Sequence, residues 1–432
     1  MTPTYKVTLL LSIVFLASCS GIDKNVQETL DNISQQKRNE LSAFISHYSG
    51  RGNMYDGAKF IVANMLDKYS IIGGSPDIYH EYIDSVYKDG TTFNSRKGYD
   101  YKSGFSPSIL SSVNVPDIDF VIVDSLTEHF DNAYSVWEAT PWRSLYSKEL
   151  FEKYVLPYRI ADEPLEYGWR KDAYERNSHY LESCKDSGII AACTYIYNNL
   201  DYQTNNLFWG EPLQPYSVNV HYRRGTCSDY AVYTAMVMRA LGIPVSLDFV
   251  PYWGDNNNGH SFNALLMPDG SCLGFNNKDD LNNGLHLSGK VPKVYRKEFE
   301  IQRNIALYKY KDVEYIPPLF AGHNIKDVTG DYDIPLTDIM ISPVMNTPRS
   351  HIVYLAVFSP VGWRPVAWAE YKGGNASFRN VGTGYNRMTL RQPKAKVTVK
   401  DACLYLCVIQ IQKTCCRWTI LSSYLKQEKN VV

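Results

Sequence analysis

The 432-residue chain lacks most signatures that settle a function quickly. It has no P-loop, no Gly-x-Ser-x-Gly, no His-Glu-x-x-His and no Cys-x-x-Cys. Those absences remove the commonest nucleotide-binding, serine-esterase and zinc readings. An excess of one charge is also missing: 44 Lys and Arg against 45 Asp and Glu leave −1, so nucleic acid is not an expected partner. Cysteine is scarce, nine in all, too few for a disulfide scaffold. Beyond the first twenty residues no apolar run reaches the roughly 20 residues of a membrane-spanning helix. Internal repeats and low-complexity tracts are absent. Two acidic and amide-rich stretches, residues 255–258 and 276–283, lack the D-x-[DN]-x-[DN]-G pattern of a calcium loop. They read as solvated loops, and neither a metal nor a cofactor is expected.

What is present describes a folded chain of more than one domain. Hydrophobic residues make up 44% and charged residues 21%, enough to bury a sizeable core. Tyr is abundant: 34, more than Phe (16) and Trp (8) together. Tyr-rich surfaces suit contact with sugars or proteins, although most of these rings read as ordinary half-buried aromatics. The N-terminus reads as a targeting segment, with Lys6 before an apolar stretch over 7–17. It ends in Leu16-Ala17-Ser18-Cys19, which resembles the lipobox of bacterial lipoproteins. That resemblance implies cleavage before Cys19 and lipidation of its thiol. The expected location is the cell envelope, with the body tethered to a bacterial membrane.

Residues 20–115 read as a helical region and linker, with helices over 58–69 and 78–87 and a loop over 90–116. Residues 116–290 read as a central domain, with helices over 120–134, 150–158, 172–184 and 188–199. After residue 244 the apolar period changes to two, predicting strands over 245–250, 261–267 and 272–275, the last two joined by Pro268-Asp269-Gly270. Helices followed by antiparallel strands predict an α+β core. Residues 291–400 read as a connector and a small β-sandwich, with strands over 352–359, 364–371 and 376–381. Residues 401–432 form an atypical tail that fits neither scheme. Four of the nine Cys fall there, at 403, 407, 415 and 416, without metal-ligand spacing.

The chemistry is sought in the central domain. Cys227 opens a predicted helix with core positions Ala231, Ala235, Met238 and Leu241, stopped by Gly242. Unpaired N–H groups and the macrodipole at a helix start favour an anion, and the thiolate is the nucleophilic form of Cys. A Cys at a helix start is by itself usually structural. His260 heads a strand after the Asn-rich turn, a place where a lone His is more often a surface residue. Asn276 ends the strand paired with it, so the two are diagonal neighbours on one face of a simple hairpin. A base with an orienting amide is the Cys-His-Asn arrangement of papain-like proteases, and the three features together favour catalysis.

These residues resemble the transglutaminase-like superfamily. The resemblance rests on Arg224-Gly225-Thr226-Cys227-Ser228-Asp229-Tyr230, on the helix ending Arg239-Ala240-Leu241-Gly242-Ile243-Pro244, and on His260-Ser261-Phe262-Asn263-Ala264. It implies a papain/transglutaminase-like core, a Cys-bearing helix against an antiparallel sheet. It also implies Cys227 as nucleophile, His260 as general base and acid, and Asn276 in place of the usual Asp. Phe262 and Asn263 stand where the family has Trp and an acidic residue. Asp279 and Asp280 are alternatives for the third role. The Cys227 N–H is one expected oxyanion donor, with Trp209 or Tyr222 as a second. The expected activity is hydrolysis of amides in a peptide, protein or glycoconjugate. The alternative is a catalytically lapsed envelope protein that binds glycan or peptide.

Overall fold

Ser34 caps a helix through its side chain. Its hydroxyl accepts from the Lys37 N–H at 3.3 Å and opens α1 (Gln35–His47), which buries Leu41, Phe44 and Ile45. The computed structural model describes residues 21–72, 113–184, 186–204, 212–254, 256, 258–310, 316–341, 352–359, 362–370, 372, 375–383, 405–411 and 415–419. The lipobox with Cys19 and the predicted helix over 78–87 lie outside these residues. No helix among the described residues is long and apolar enough to cross a membrane.

The chain divides into two compact units, and neither is one contiguous stretch. The first comprises residues 1–246, 265–271 and 299–301; the second comprises 247–264, 272–298 and 302–432. In the first unit α1 is followed by α2 (Asn53–Ala63), and β1 (Tyr69–Ile72) pairs antiparallel with β2 (Val113–Pro116). The helix expected over 58–69 therefore ends at Ala63. The ladder from Tyr69↔Pro116 to Ile72↔Val113 claims the residues beyond it. Next come α3 (Val123–Ala139), α4 (Lys148–Tyr154), α5 (Trp169–Ser183) and α6 (Ile189–Asn198). These lie within a few residues of their sequence expectations. A short parallel pair, β3 (Gln203–Thr204) with β4 (Arg224–Gly225), flanks α7 (Tyr216–Tyr222) and leads into α8 (Cys227–Ala240).

α8 is buried on most of its faces, with Ala235, Val237, Met238 and Ala240 fully enclosed. The buried Arg170 of α5 donates to the Arg239 carbonyl at 2.7 Å, and Arg239 Nε donates to the Val245 carbonyl at 2.8 Å. The first satisfies a carbonyl that the helix end leaves open, and the second ties that end to the start of the next strand. They fix the C-terminal end of the Cys-bearing helix. Residues 299–301 also belong to this unit: the Phe299 ring lies 6.0 Å from Phe60 and 5.2 Å from Tyr158.

The second unit is built on strands. β5 (Val245–Val250), β6 (His260–Leu266), β7 (Cys272–Phe275), β8 (Tyr295–Lys297) and β9 (Ile325–Asp327) form a five-stranded antiparallel sheet in the order β7-β6-β5-β8-β9. The expected α+β character is thus observed, as a mixed helix-and-strand fold with a five-stranded antiparallel sheet. Val250, Trp253, Phe262, Val294 and Val328 form one apolar cluster of the unit. Between β5 and β8 the register places Asp248 opposite Arg296.

The C-terminal strands are β10 (Leu336–Ile341), β11 (Ile352–Ser359), β12 (Gly362–Glu370), β13 (Ala376–Gly382), β14 (Tyr405–Ile411) and β15 (Cys415–Thr419). One sheet runs β12-β11-β14-β15, and β10 pairs with β13. Val353, Leu355, Val357, Val366 and Phe378 share a core, with Ile339 packed against it. The tail departs from expectation: residues 405–411 pair with β11 from Val353↔Ile409 to Val357↔Tyr405. An edge of the sheet is covered by chain that the sequence pattern leaves apart.

Candidate active site

The thiol is placed by its neighbours in sequence. Thr226 caps α8, its hydroxyl accepting from the Asp229 N–H at 3.2 Å. The Asp229 carboxylate accepts in return from the Thr226 N–H at 2.8 Å and its hydroxyl at 2.7 Å, completing a capping box. Its other oxygen accepts from the Gln214 N–H at 2.8 Å, tying the preceding loop to the helix start. Burial pushes the Asp229 carboxyl above its ordinary value, against the pull of these donors. Cys227 is therefore the first helical residue, half-buried, directly after a rigidly held cap. Gly225 serves the same end. A Cβ there would lie 2.4 Å from the Tyr202 hydroxyl and 2.7 Å from the Asp229 Cβ, too close for either to remain.

In the second unit, His260 begins β6 and Asn276 follows β7 directly. The imidazole hydrogen-bonds the Asn276 side chain, its side-chain partner among the described residues. Two aromatics lie near the ring with their planes close to its own, Trp253 at 6.2 Å and 19° and Phe262 at 6.1 Å and 24°. Trp253 and Phe262 are both buried, so two fixed aromatics and the Asn276 bond restrain the ring. Gly259, just before His260, lets the backbone pass close to the end of β5, because a Cβ there would sit 2.5 Å from the Val250 carbonyl oxygen.

Asp280 is placed for a different task from the one considered for it. It accepts from the Asn276 N–H at 2.7 Å and the Asn277 N–H at 3.0 Å, and so fixes the loop that presents the Asn276 amide. Asp279 is exposed at the head of the same turn. Among the described residues no group of three or more His, Cys, Asp and Glu side chains is placed to hold a metal ion. Tyr222 is half-buried at the end of α7, and Trp209 lies outside the described residues.

Of the expected site residues, then, His260 and Asn276 come together in the second unit, and Cys227 stands in the first. The support around them was missed from sequence. Asp229 lay inside the quoted motif, and its capping-box spacing to Thr226 was the available signal. Nothing in the local pattern points to Trp253, and the sequence offers Asp280 for the third role, not as the anchor of the Asn276 loop.

Burial holds the His260 imidazole below the ordinary 6.5, and the Asn276 bond opposes this in part. The folded ring thus binds fewer protons than the unfolded one between its lowered value and 6.5. Stability therefore rises with pH across that window and is lost as the pH falls through it. A ring that stays neutral below pH 6.5 remains a base there, so the acid limb of kcat/KM should lie below 6.5. Asn276→Ala removes the upward pull and should move the limb lower still. A pH–rate profile, or an NMR titration of the ring protons, checks both; a limb at or above 6.5 contradicts the assignment.

The family model described as the transglutaminase-like superfamily matches residues 181–274. The chain accordingly carries a transglutaminase-like domain within a mixed helix-and-strand fold. The matched stretch includes Cys227 and His260 and ends two residues before Asn276. No curated protein matches the chain.

Proposed function

We propose that the chain is a thiol hydrolase acting on amide bonds through Cys227, His260 and Asn276. The observation that carries this reading is the imidazole hydrogen-bonded to Asn276 and packed beside Trp253 and Phe262. An oriented, largely neutral ring is what a general base needs at neutral pH. The Cys227 sulfur attacks the amide carbonyl carbon while His260 takes the thiol proton. The tetrahedral oxyanion is met by the Cys227 backbone N–H and a second donor, for which Tyr222 and Trp209 are the candidates. As the carbon–nitrogen bond breaks, His260 gives its proton to the leaving amine. Water, deprotonated by the same ring, then cleaves the thioester and restores the thiol. Asn276 orients the ring without supplying the charge that a carboxylate would.

The substrate class in this reading is a peptide, a protein or an amide-bearing glycoconjugate. The replacement of the usual Asp by Asn276 favours one second reading, a catalytically lapsed protein that binds glycan or peptide. Thiol reactivity separates the two. Burial raises the Cys184, Cys193 and Cys272 thiols, Cys193 furthest. These three should react slowly with iodoacetamide at neutral pH, and Cys227 should react fastest of the four. Mass-spectrometric timing of each adduct gives the order; a Cys227 rate equal to that of a thiol peptide removes the activated nucleophile.

The proposed location is the cell envelope, through a lipid on Cys19. A lipid-bearing Cys with two acyl chains anchors far more firmly than a single chain. Cys19→Ser should move the protein out of the membrane fraction on cell fractionation. Wild-type recovery of that variant in the membrane pellet would refute the anchor.

A further inference from the structure

We propose that the second unit carries a separate ligand site, built around Lys293, for an acidic saccharide. A cavity of about 480 Å³ opens there, within the range of roughly 300–1,000 Å³ typical of small-ligand sites. Its polar floor is the Lys293 ammonium, 2% exposed. That ammonium donates to the Asp327 carboxylate and, at 2.7 Å, to the Arg379 carbonyl. An ammonium has three N–H donors, so one is left without a partner among the described residues. Leaving a buried donor unsatisfied is costly, and an acceptor on a ligand would satisfy it.

The charges around the cavity favour an anion. Asp327 is already committed: one oxygen takes Lys293, and the other accepts from the Thr329 N–H at 3.0 Å and its hydroxyl. Lys326 and Arg379 also line the cavity, are exposed, and make no ion pair among the described residues. Three cations against one engaged carboxylate focus a positive field on the opening. The rest of the lining suits a sugar ring. Trp368 offers a half-buried flat face for the C–H groups of a pyranose, and the Gln302 and Asn304 amides can bond hydroxyls. This site shares no residue with Cys227, His260 or Asn276, so it stands or falls apart from the hydrolase reading.

Calorimetric titration of the full chain with glucuronic acid, glucose and acetate at constant ionic strength tests the assignment. Glucuronic acid should saturate with a Kd of about 1 mM or tighter, and glucose and acetate should each bind at least about tenfold more weakly. The paired variant Lys326→Ala, Arg379→Ala changes only exposed side chains and should weaken glucuronic acid by about tenfold or more. Trp368→Ala should weaken it as well, with its folding checked by circular dichroism. Acetate binding as tightly as glucuronic acid would overturn the saccharide, and glucose binding as tightly would overturn the anion. No saturation with glucuronic acid, or affinity unchanged in the paired variant, would overturn the site.

Discussion

Cys227→Ala should reduce turnover of a responsive amide substrate by roughly a million-fold, the scale seen when a hydrolase loses its nucleophile. The change deletes one sulfur at the first position of α8 and leaves the Thr226–Asp229 capping box untouched, so the thermal midpoint should stay near wild type. His260→Ala should cost about as much, and the double variant little more than either single one, because such residues act as a unit. Asn276→Ala should lower kcat by about a hundredfold or more, the range for a displaced acid–base group. Asn276→Asp should keep or raise activity, since a carboxylate orients the ring and also steadies its cation. Activity that is flat across all these variants would remove catalysis by this set and leave the binding reading. Silence of Asn276→Ala alone would return the third role to the neighbouring carboxylates.

Asp248→Ala should destabilise the second unit by about 3–5 kcal/mol, the usual cost of orphaning one member of a buried ion pair. Arg296 donates to both Asp248 oxygens, at 2.9 and 2.8 Å, and both residues are buried. The Tyr332 hydroxyl donates to the same carboxylate. Truncation leaves the buried guanidinium with the more distant Asp331 carboxylate, at 4.0 Å, as its ion-pair partner. Replacing the pair by Leu and Met should cost far less than either single truncation, because no charge is then stranded. Chemical denaturation followed by Trp fluorescence would measure this, and a loss under about 1 kcal/mol in the single variant would refute it. The effect should extend to the site. Tyr332 packs edge-on against Phe262 at 5.5 Å, and Phe262 stacks on His260, so Asp248→Ala should also lower kcat.

Local information carried most of what the sequence revealed. The cap, helix and stop of α8 lie within 226–242, and the β6–β7 turn, with Asp269 accepting from Ser271, is closed by adjacent residues. The strands over 272–275 and 352–359 alternate between clear turn signals and were readable to the residue. Pairing at a distance was not readable. Tyr69–Ile72 is a strand because residues 113–116 lie beside it, and residues 405–409 are a strand because β11, more than forty residues back, pairs with them. The same holds at the site. His260 and Asn276 could be placed on one face from hairpin geometry, while Trp253 near the ring depends on the path of the loop between β5 and β6.

The discontinuous division of the chain has a consequence for its synthesis. Phe299 packs into the first unit against Phe60 and Tyr158, and residues 265–271 belong to that unit too. A nascent chain leaving the ribosome cannot complete its helical half when α8 emerges. It must wait until residue 301 is clear of the exit tunnel, with the strands of 247–264 and 272–298 already exposed and β9, the outer strand beside β8, not yet made. Translation runs at roughly 5–20 residues per second, so that interval lasts several seconds, time in which open strand edges can meet the wrong neighbour. Chaperone dependence should therefore concentrate in this window, and a chain truncated at residue 290 should be recovered as aggregate.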